Sequence, residues 1–510
     1  MMSPRSARVG CLAGLAVLYL LCLRAYYVGF FNDDAFYLIG ARSLLSGGFR
    51  ELSSPGAPPM TLYMPGYPLV LAQWSWLAGS SPLAAQLLSV VMTTAAAGLM
   101  WACFAPELPA AAAFASVAVT ACNPLTVGIS AAVLSEIPFL VMTLLVFLAA
   151  RAVWEEGSEL AWAGLGAMTG AAFLIRPTGA ALALALVLSL LGERRWRRAA
   201  WAAAGAALVA APWLVRNALV GGSALPYASQ LAAPWSASAA FRDVLLRLSR
   251  NAEFYGPELF WRTWFRWPAW PGVSALKWAT VLLGLAALAA GLREWGARGW
   301  RKLLSVYLLA YAAIHLQLHL QSSRYLFTAL PMAAPLFFLG LDAADRRLGL
   351  RGKLTLGAAA LSLALSLGPV ANVVRTSLWR HTPLNTPPLK TLAWIRSSTS
   401  PTDILAADLD GRLFLLTGRR TVRLRKLYAP GAFAAWLKGA RVDYVLVEPN
   451  DCFMTTASGR TAHDPMPLDR LRNLLSGGRR VFADAEERTE IYRVREAADE
   501  MVPAPTTTSP

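Results

Sequence analysis

Charge is withheld from this chain in blocks. Apolar runs lie near 9–29, 82–103, 108–123, 131–152, 160–175, 178–192, 199–219, 273–292, 301–320, 325–341 and 354–376, and charged residues crowd between them. A helix crossing roughly 30 Å of hydrocarbon must be apolar on every side for about twenty residues, because its backbone bonds can be satisfied only internally. A large soluble helical protein would show amphipathic stripes instead. The blocks predict a polytopic α-helical membrane protein of about eleven transmembrane helices. Composition agrees, with 15% charged and 56% hydrophobic residues, against about 25% charged in ordinary soluble domains.

Loop charge sets the expected orientation. Short loops hold Arg194, Arg195, Arg197 and Arg198, then Arg293, Arg298, Arg301 and Lys302, then Arg346, Arg347, Arg351 and Lys353. With Arg5 and Arg8 they fall on one side, which the positive-inside tendency makes cytoplasmic. The N-terminal run Val9–Leu23 lacks a small-x-small cleavage site and ends on Arg24-Ala25-Tyr26-Tyr27, so it reads as a retained first span. The formal net charge of +17 is then loop charge, and no basic stripe interleaved with aromatics suggests a nucleic-acid partner. The chain is expected in the cell (inner) membrane, with its N-terminus cytoplasmic and its active site and C-terminal domain extracytoplasmic.

This orientation divides the chain into a transmembrane domain over 1–377, with outer loops at 30–81 and 220–272, an α/β domain over 378–497, and a disordered Pro/Thr-rich tail over 498–510. The first outer loop should hold a short helix, Ala35 to Leu45, ended by Gly47-Gly48. The stretch 66–79 is apolar but too short to cross comfortably and is read as an interfacial or re-entrant helix. The second outer loop carries Trp235, Trp261, Trp264, Trp267 and Trp270, as helices lying in a membrane interface do. In the C-terminal part, Pro387-Pro388 opens a helix through Trp394-Ile395, and strand-like runs follow at Ile404–Ala407, Thr421–Leu424, Tyr444–Val447 and Arg480–Phe482. The cysteines offer no disulfide framework, since Cys452 is alone in the polar part.

Several residues could carry chemistry. Asn32-Asp33-Asp34 places two carboxylates just outside the first span, where like charges repel. A helix N-cap explains one carboxylate easily and two less well. Glu136, in Ser135-Glu136-Ile137-Pro138, is a carboxylate in an apolar block and calls for a partner or a polar cavity. Arg176, Arg216 and Arg324 border outer helix ends against the positive-inside tendency, and guanidinium suits phosphate by donating two parallel bonds. His315 and His319 are four apart on one helix face, a spacing open to metal binding, to sugar contact or to a plain interfacial role. Asp408-Leu409-Asp410 has the form of a nucleotide-sugar metal motif, but Asp410-Gly411 is equally a turn.

Taken in order, these residues resemble the GT-C superfamily of membrane glycosyltransferases, in its protein O-mannosyltransferase and lipid A aminoarabinose transferase branch. The matching pieces are Asp33-Asp34-Ala35-Phe36-Tyr37, Ala41–Gly48, Met64–Leu69, Asn123-Pro124, Val133–Pro138, Arg176–Gly179, Pro212–Asn217 and Arg324-Tyr325. The resemblance implies an inverting glycosyltransferase that moves a hexosyl or pentosyl group from a polyprenyl-phosphate donor. The acceptor, a lipid, glycan or protein, would be met at the outer face. It makes Asp33 the catalytic base, with Asp34 and Glu136 as its acidic companions. Arg42, Arg176, Arg216 and Arg324 are the candidates to bind the donor phosphate. Tyr37, Tyr63, Tyr67, His319 and Tyr325 are expected to bind substrate, and a divalent metal (Mg or Mn) is left open. The sequence departs from the aminoarabinose transferases at Phe36, where they carry Arg, and around Tyr63–Pro65, where they carry Lys. The alternative is a non-catalytic polyprenyl-lipid binder or a transporter. A transporter should show internal repeats or polar residues at mid-membrane, whereas the polar residues here cluster at the outer edge.

Overall fold

The computed structural model describes residues 4–226, 240–260, 274–318, 321–425, 427, 429–449 and 467–495. His319, Cys452, the five tryptophans of the second outer loop and the tail lie outside the described residues. Every expected apolar block contains a helix. Among the described residues six helices are long and apolar enough to cross a membrane: Pro82–Glu107, Glu136–Val153, Trp196–Gly221, Ala275–Trp295, Ser323–Leu348 and Lys353–Trp379. The apolar helices Arg8–Leu20, Ala110–Ala121, Glu159–Ile175 and Pro177–Leu191 are shorter, so the expected count of spans exceeds what length supports.

Local chemistry accounts for the shortening. The first helix ends at Leu20 instead of running to 29, because the following turns close on i−3 carbonyls, Cys22 on Tyr19 and Leu23 on Leu20. Pro177 bars its predecessor from the helical region, so the helix Glu159–Ile175 stops and Arg176 is extended at φ −145°, ψ 139°.

The described chain forms two compact units. One holds the chain up to Ala25, Met64–Tyr67 and Trp74–Arg380; the other holds Tyr26–Tyr63, Pro68–Gln73 and the chain from His381. In the first, glycines let helix backbones approach closely. A Cβ on Gly166 would lie 2.6 Å from the Ala202 carbonyl carbon, and one on Gly205 2.8 Å from that of Ala163. Gly340 meets Ala287 and Gly291 meets Leu336 in the same way. Small residues at such crossings allow the van der Waals contact that drives helix association in lipid.

The second unit is built on a five-stranded sheet. Strands β1 (Ile404–Ala407), β2 (Arg420–Arg423), β3 (Tyr444–Val447), β4 (Arg479–Asp484) and β5 (Thr489–Arg493) lie in the order β2-β1-β3-β5-β4. β1 is parallel to β2 and β3, and β5 is antiparallel to β3 and β4. Side chains alternate between two cores: Ala406, Val445 and Val447 pack with Phe433 and Leu437, while Leu405, Ala407 and Leu446 pack with Leu392 and Leu413. Helices therefore cover both faces, as an α/β sheet requires. Strand β5 was not anticipated from the sequence.

Residues 30–63 of the expected outer loop, with Tyr26–Gly29 from the end of the expected first span, belong to this second unit. Tyr27 N–H donates to the Leu384 carbonyl (3.1 Å) and Thr421 N–H to that of Ser53 (2.8 Å). The helix expected over 35–45 starts earlier, as Asp33–Leu45, and the 66–79 stretch forms the thirteen-residue helix Gly66–Ala78.

Replacing Gly205 by Leu would drive a side chain into the Ala163 backbone, whereas Gly357 has nothing within 4 Å of its Cβ position. Overpacking of this kind costs about 1–3 kcal/mol or more. Thermal melting in detergent should show a lowered midpoint for Gly205→Leu and an unchanged one for Gly357→Leu; equal midpoints would contradict the close crossing.

Candidate active site

In the membrane unit, Glu136 opens the helix Glu136–Val153 and is 1% exposed. Two arginines converge on it. Arg176 Nη1 lies 2.7 Å from Oε2, and Arg324 Nη2 lies 2.9 Å from Oε1, with Nε donating to the same oxygen at 3.1 Å. Arg176 Nη1 also donates to Ser135 Oγ (3.0 Å), and its guanidinium lies 6.0 Å from the centre of the Tyr325 ring.

Each arginine is aimed by its own local sequence. Pro177 releases Arg176 from the helix end, and Gly179 lets the next helix begin against the preceding one, where a Cβ would meet Phe173 Cα at 2.6 Å. Ser322 Oγ accepts the Arg324 N–H in the 3₁₀ turn Ser323–Tyr325. Two guanidiniums on one carboxylate leave a surplus positive charge, and both retain partial exposure (12% and 24% of the side chain). Glu258 stands one step away, accepting from Ser323 Oγ at 2.8 Å. Next to Tyr325, His315 is stacked on Tyr311 at 4.1 Å and donates from Nδ1 to the Tyr311 carbonyl at 2.8 Å. One ring nitrogen is thereby used within its own helix.

In the second unit the two aspartates separate in character. Asp34 is 2% exposed; Oδ2 accepts from Gly29 N–H (2.7 Å) and Oδ1 from Ala35 N–H (3.0 Å). It fastens the loop to the first turn of the helix, whose N-cap residue, Asn32, makes no side-chain cap bond. Asp33 is half-buried, and its Oδ1 accepts from Tyr63 OH at 3.2 Å. Tyr63 stacks on Phe36 at 4.7 Å and meets Tyr37 edge-on at 5.7 Å. Tyr63, Phe36 and Tyr37, two expected residues and one of their neighbours in the motif, are thus gathered beside one carboxylate.

The remaining candidates lie elsewhere within their units. Arg42 is exposed in the last turn of the helix that Asp33 begins, about 14 Å further along its axis at 1.5 Å per residue. Arg216 bonds Asn217 Oδ1 (2.9 Å) and covers the Trp213 ring at 4.8 Å. Tyr67 is buried at 1% exposure. Among the described residues no three His, Cys, Asp or Glu side chains gather as a metal cage would need. Asp34 is occupied by backbone amides and Glu136 by arginines, so neither offers a metal a free carboxylate edge.

Reading the sequence missed a buried network beside Asp33. Asn32 bonds Asp410 and Arg412, and Arg412 pairs with Glu448 and Tyr27. Burial pushes the Asp410 carboxyl above the usual range. Its visible signal was the Asp408-Leu409-Asp410 triplet, which the structure turns into a helix start with Asp410 buried, not a metal motif.

Comparison with known proteins adds the fold. Residues 58–216, under half the chain, match the family model for dolichyl-phosphate-mannose-protein mannosyltransferase. None of the curated proteins matches significantly. The structure is similar to ArnT from Cupriavidus metallidurans bound to undecaprenyl phosphate, with TM-score 0.59, 13% identity, and coverage of 96% of this chain and 98% of that one. It is also similar to the archaeal oligosaccharyltransferase AglB from Archaeoglobus fulgidus in complex with an inhibitory peptide and a dolichol-phosphate, with TM-score 0.56, 13% identity, and coverage of 94% and 74%. The Archaeoglobus fulgidus oligosaccharyltransferase in complex with Zn and sulfate is similar at TM-score 0.54 and 14% identity, over 85% of this chain and 67% of that one. The chain shares the fold of ArnT and of the archaeal oligosaccharyltransferase.

Proposed function

We propose that this protein is an inverting glycosyltransferase that moves a sugar from a polyprenyl-phosphate donor to an acceptor at the outer face of the membrane. The observation that carries the reading is the Arg176–Glu136–Arg324 cluster, a cationic pair held on a buried carboxylate. That is what a lipid phosphate needs, and ArnT and AglB, which share the fold, are known with undecaprenyl phosphate and dolichol-phosphate. In the reaction, the acceptor oxygen or nitrogen attacks the anomeric carbon while Asp33 takes its proton. The bond from that carbon to the phosphate oxygen breaks, and the electron pair leaves with the polyprenyl phosphate. Attack opposite the leaving group inverts the anomeric centre.

Phosphate is a good leaving group, so the main requirements are a base and cations against the charge that develops on it. Tyr63 orients the Asp33 carboxylate through its hydroxyl. Asp34 serves the loop, and Glu136 serves the arginines instead of touching the sugar. Arg42 and Arg216 take a lesser part, the first for its distance along the helix and the second for its engagement with Trp213 and Asn217.

Three measurements test the reading. In lipid vesicles supplied with a panel of polyprenyl-phosphate sugars, Asp33→Asn should lower turnover by about 10²–10⁴-fold, the usual worth of a general base, with donor affinity retained; equal turnover rules Asp33 out as the base. Arg176→Ala and Arg324→Ala should each weaken donor binding by an amount on the order of 1.5–3 kcal/mol, as charged hydrogen bonds do. Unchanged affinity in both would remove the clamp, while retained binding with no transfer under any donor would make the protein a lipid binder. Glu136→Ala strands two guanidiniums and should destabilise the protein by roughly 3–5 kcal/mol, with Glu136→Gln falling between; a melting curve matching the wild type would mean the ion pairs contribute nothing.

A further inference from the structure

The residue before the candidate base has an unusual backbone. Asn32 stands at φ 60°, in the left-handed region that non-glycine residues seldom adopt. Asparagine tolerates this better than most, and here its side chain is bonded at both ends. Oδ1 accepts the Arg412 backbone N–H at 3.0 Å, and Nδ2 donates to Asp410 Oδ1 at 3.2 Å. Those partners begin the helix Asp410–Thr417 of the C-terminal domain, 378 residues further along the chain.

The same turn meets the loop around Asp33 at Tyr27, Gly29 and Phe36. Arg412 donates from Nη1 to Tyr27 OH at 2.7 Å and pairs with Glu448. Its Cγ lies 2.9 Å from where Gly29 would carry a Cβ, and Gly29, at φ 105°, is the residue whose N–H fastens Asp34. A side chain on Gly411 would come within 2.7 Å of the Phe36 ring, which stacks on Tyr63, the donor to Asp33. Asp410 is anchored in turn by Thr421, whose hydroxyl donates to its carbonyl at 2.9 Å. Asn32, Asp410, Arg412 and Glu448 are all at most 8% exposed. A buried polar network favours one geometry, and removing a partner leaves its neighbours unsatisfied.

We infer that the Asp410-Gly411-Arg412 turn is a positioning element of the active site, holding Asn32 left-handed so that Asp33 is presented in one orientation. Asp410 and Asn32 are its positioning residues, and the C-terminal domain acts on the reaction through them. The inference rests on the reading of Asp33 as the base. It assigns the domain a part in turnover that donor affinity would not reveal.

The test uses the full-length chain in lipid vesicles. Hydrogen exchange is followed over residues 27–38 and over the strands 404–407 and 444–447, without ligand. Turnover and donor KM are then measured with undecaprenyl-phosphate-linked sugars. Asp410→Ala and Asn32→Ala should speed exchange over 27–38 and leave the strands protected. Turnover should fall by about a hundredfold, as for a small misplacement of a catalytic group, with donor KM unchanged. Asp410→Asn keeps an oxygen to accept from Asn32 and should restore both. Unchanged exchange over 27–38, or wild-type turnover in Asp410→Ala, would overturn the inference. So would loss of strand protection that Asp410→Asn fails to recover, since that marks a merely structural role. Full turnover in Asp33→Asn would remove the base instead, and the exchange data alone would then decide whether the turn holds the loop.

Discussion

The membrane unit depends on one carboxylate. Glu136 is buried at the first turn of its helix, where the helix dipole favours an anion. A lone charge there would be expensive, since removing it from water costs several kcal/mol even after relaxation. Arg176 and Arg324 relieve that cost and are in turn fixed by it. The three residues come from the start of one helix, the end of another and the turn before a third. One ion-paired centre thereby holds three helix ends in register, and Ser135 and Tyr325 take their places from it.

The pairing also changes what Glu136 can do. From the sequence it was one of three acids assigned to the chemistry. With guanidiniums on both of its oxygens it has little capacity to accept a proton or to hold a hydroxyl. Its more natural part is to orient cations, and a carboxylate that leaves a net positive charge on its partners suits an anionic ligand better than a neutral sugar. The acidic pair resolves by the same reasoning. Asp34 accepts from two backbone amides, and Asp33, half-buried, accepts from one phenol.

What was legible in the sequence was what local pattern carries. Apolar blocks marked the helices, Pro177 marked where Arg176 leaves its helix, and short strand-like runs marked strands β1 and β3 to the residue. Misjudged features turned on distance along the chain or on subtler backbone preference. Nothing near Leu20 announces the i−3 turns that end the first helix early. Nothing near Asn32 announces Asp410 and Arg412, because a bond spanning 378 residues leaves no periodicity at either end. Asp408-Leu409-Asp410 drew notice as a possible metal motif, while Asp410 and Arg412 carry the contacts to Asn32.

The departure at position 36 then has a physical sense. The aminoarabinose transferases that the sequence resembles carry an Arg where this chain has Phe36. Here the ring is 6% exposed, stacked on Tyr63 and packed where Gly411 leaves room. A guanidinium in that place would be stripped of water against an aromatic face and a backbone turn, beside an Asn32 amide already committed to Asp410 and Arg412. The close approach of the C-terminal turn and an apolar residue at 36 therefore belong together. A chain built this way gives up a cation in the loop in return for a rigid mount for Asp33. In the proposed reaction the cations are instead Arg176 and Arg324, which Glu136 holds.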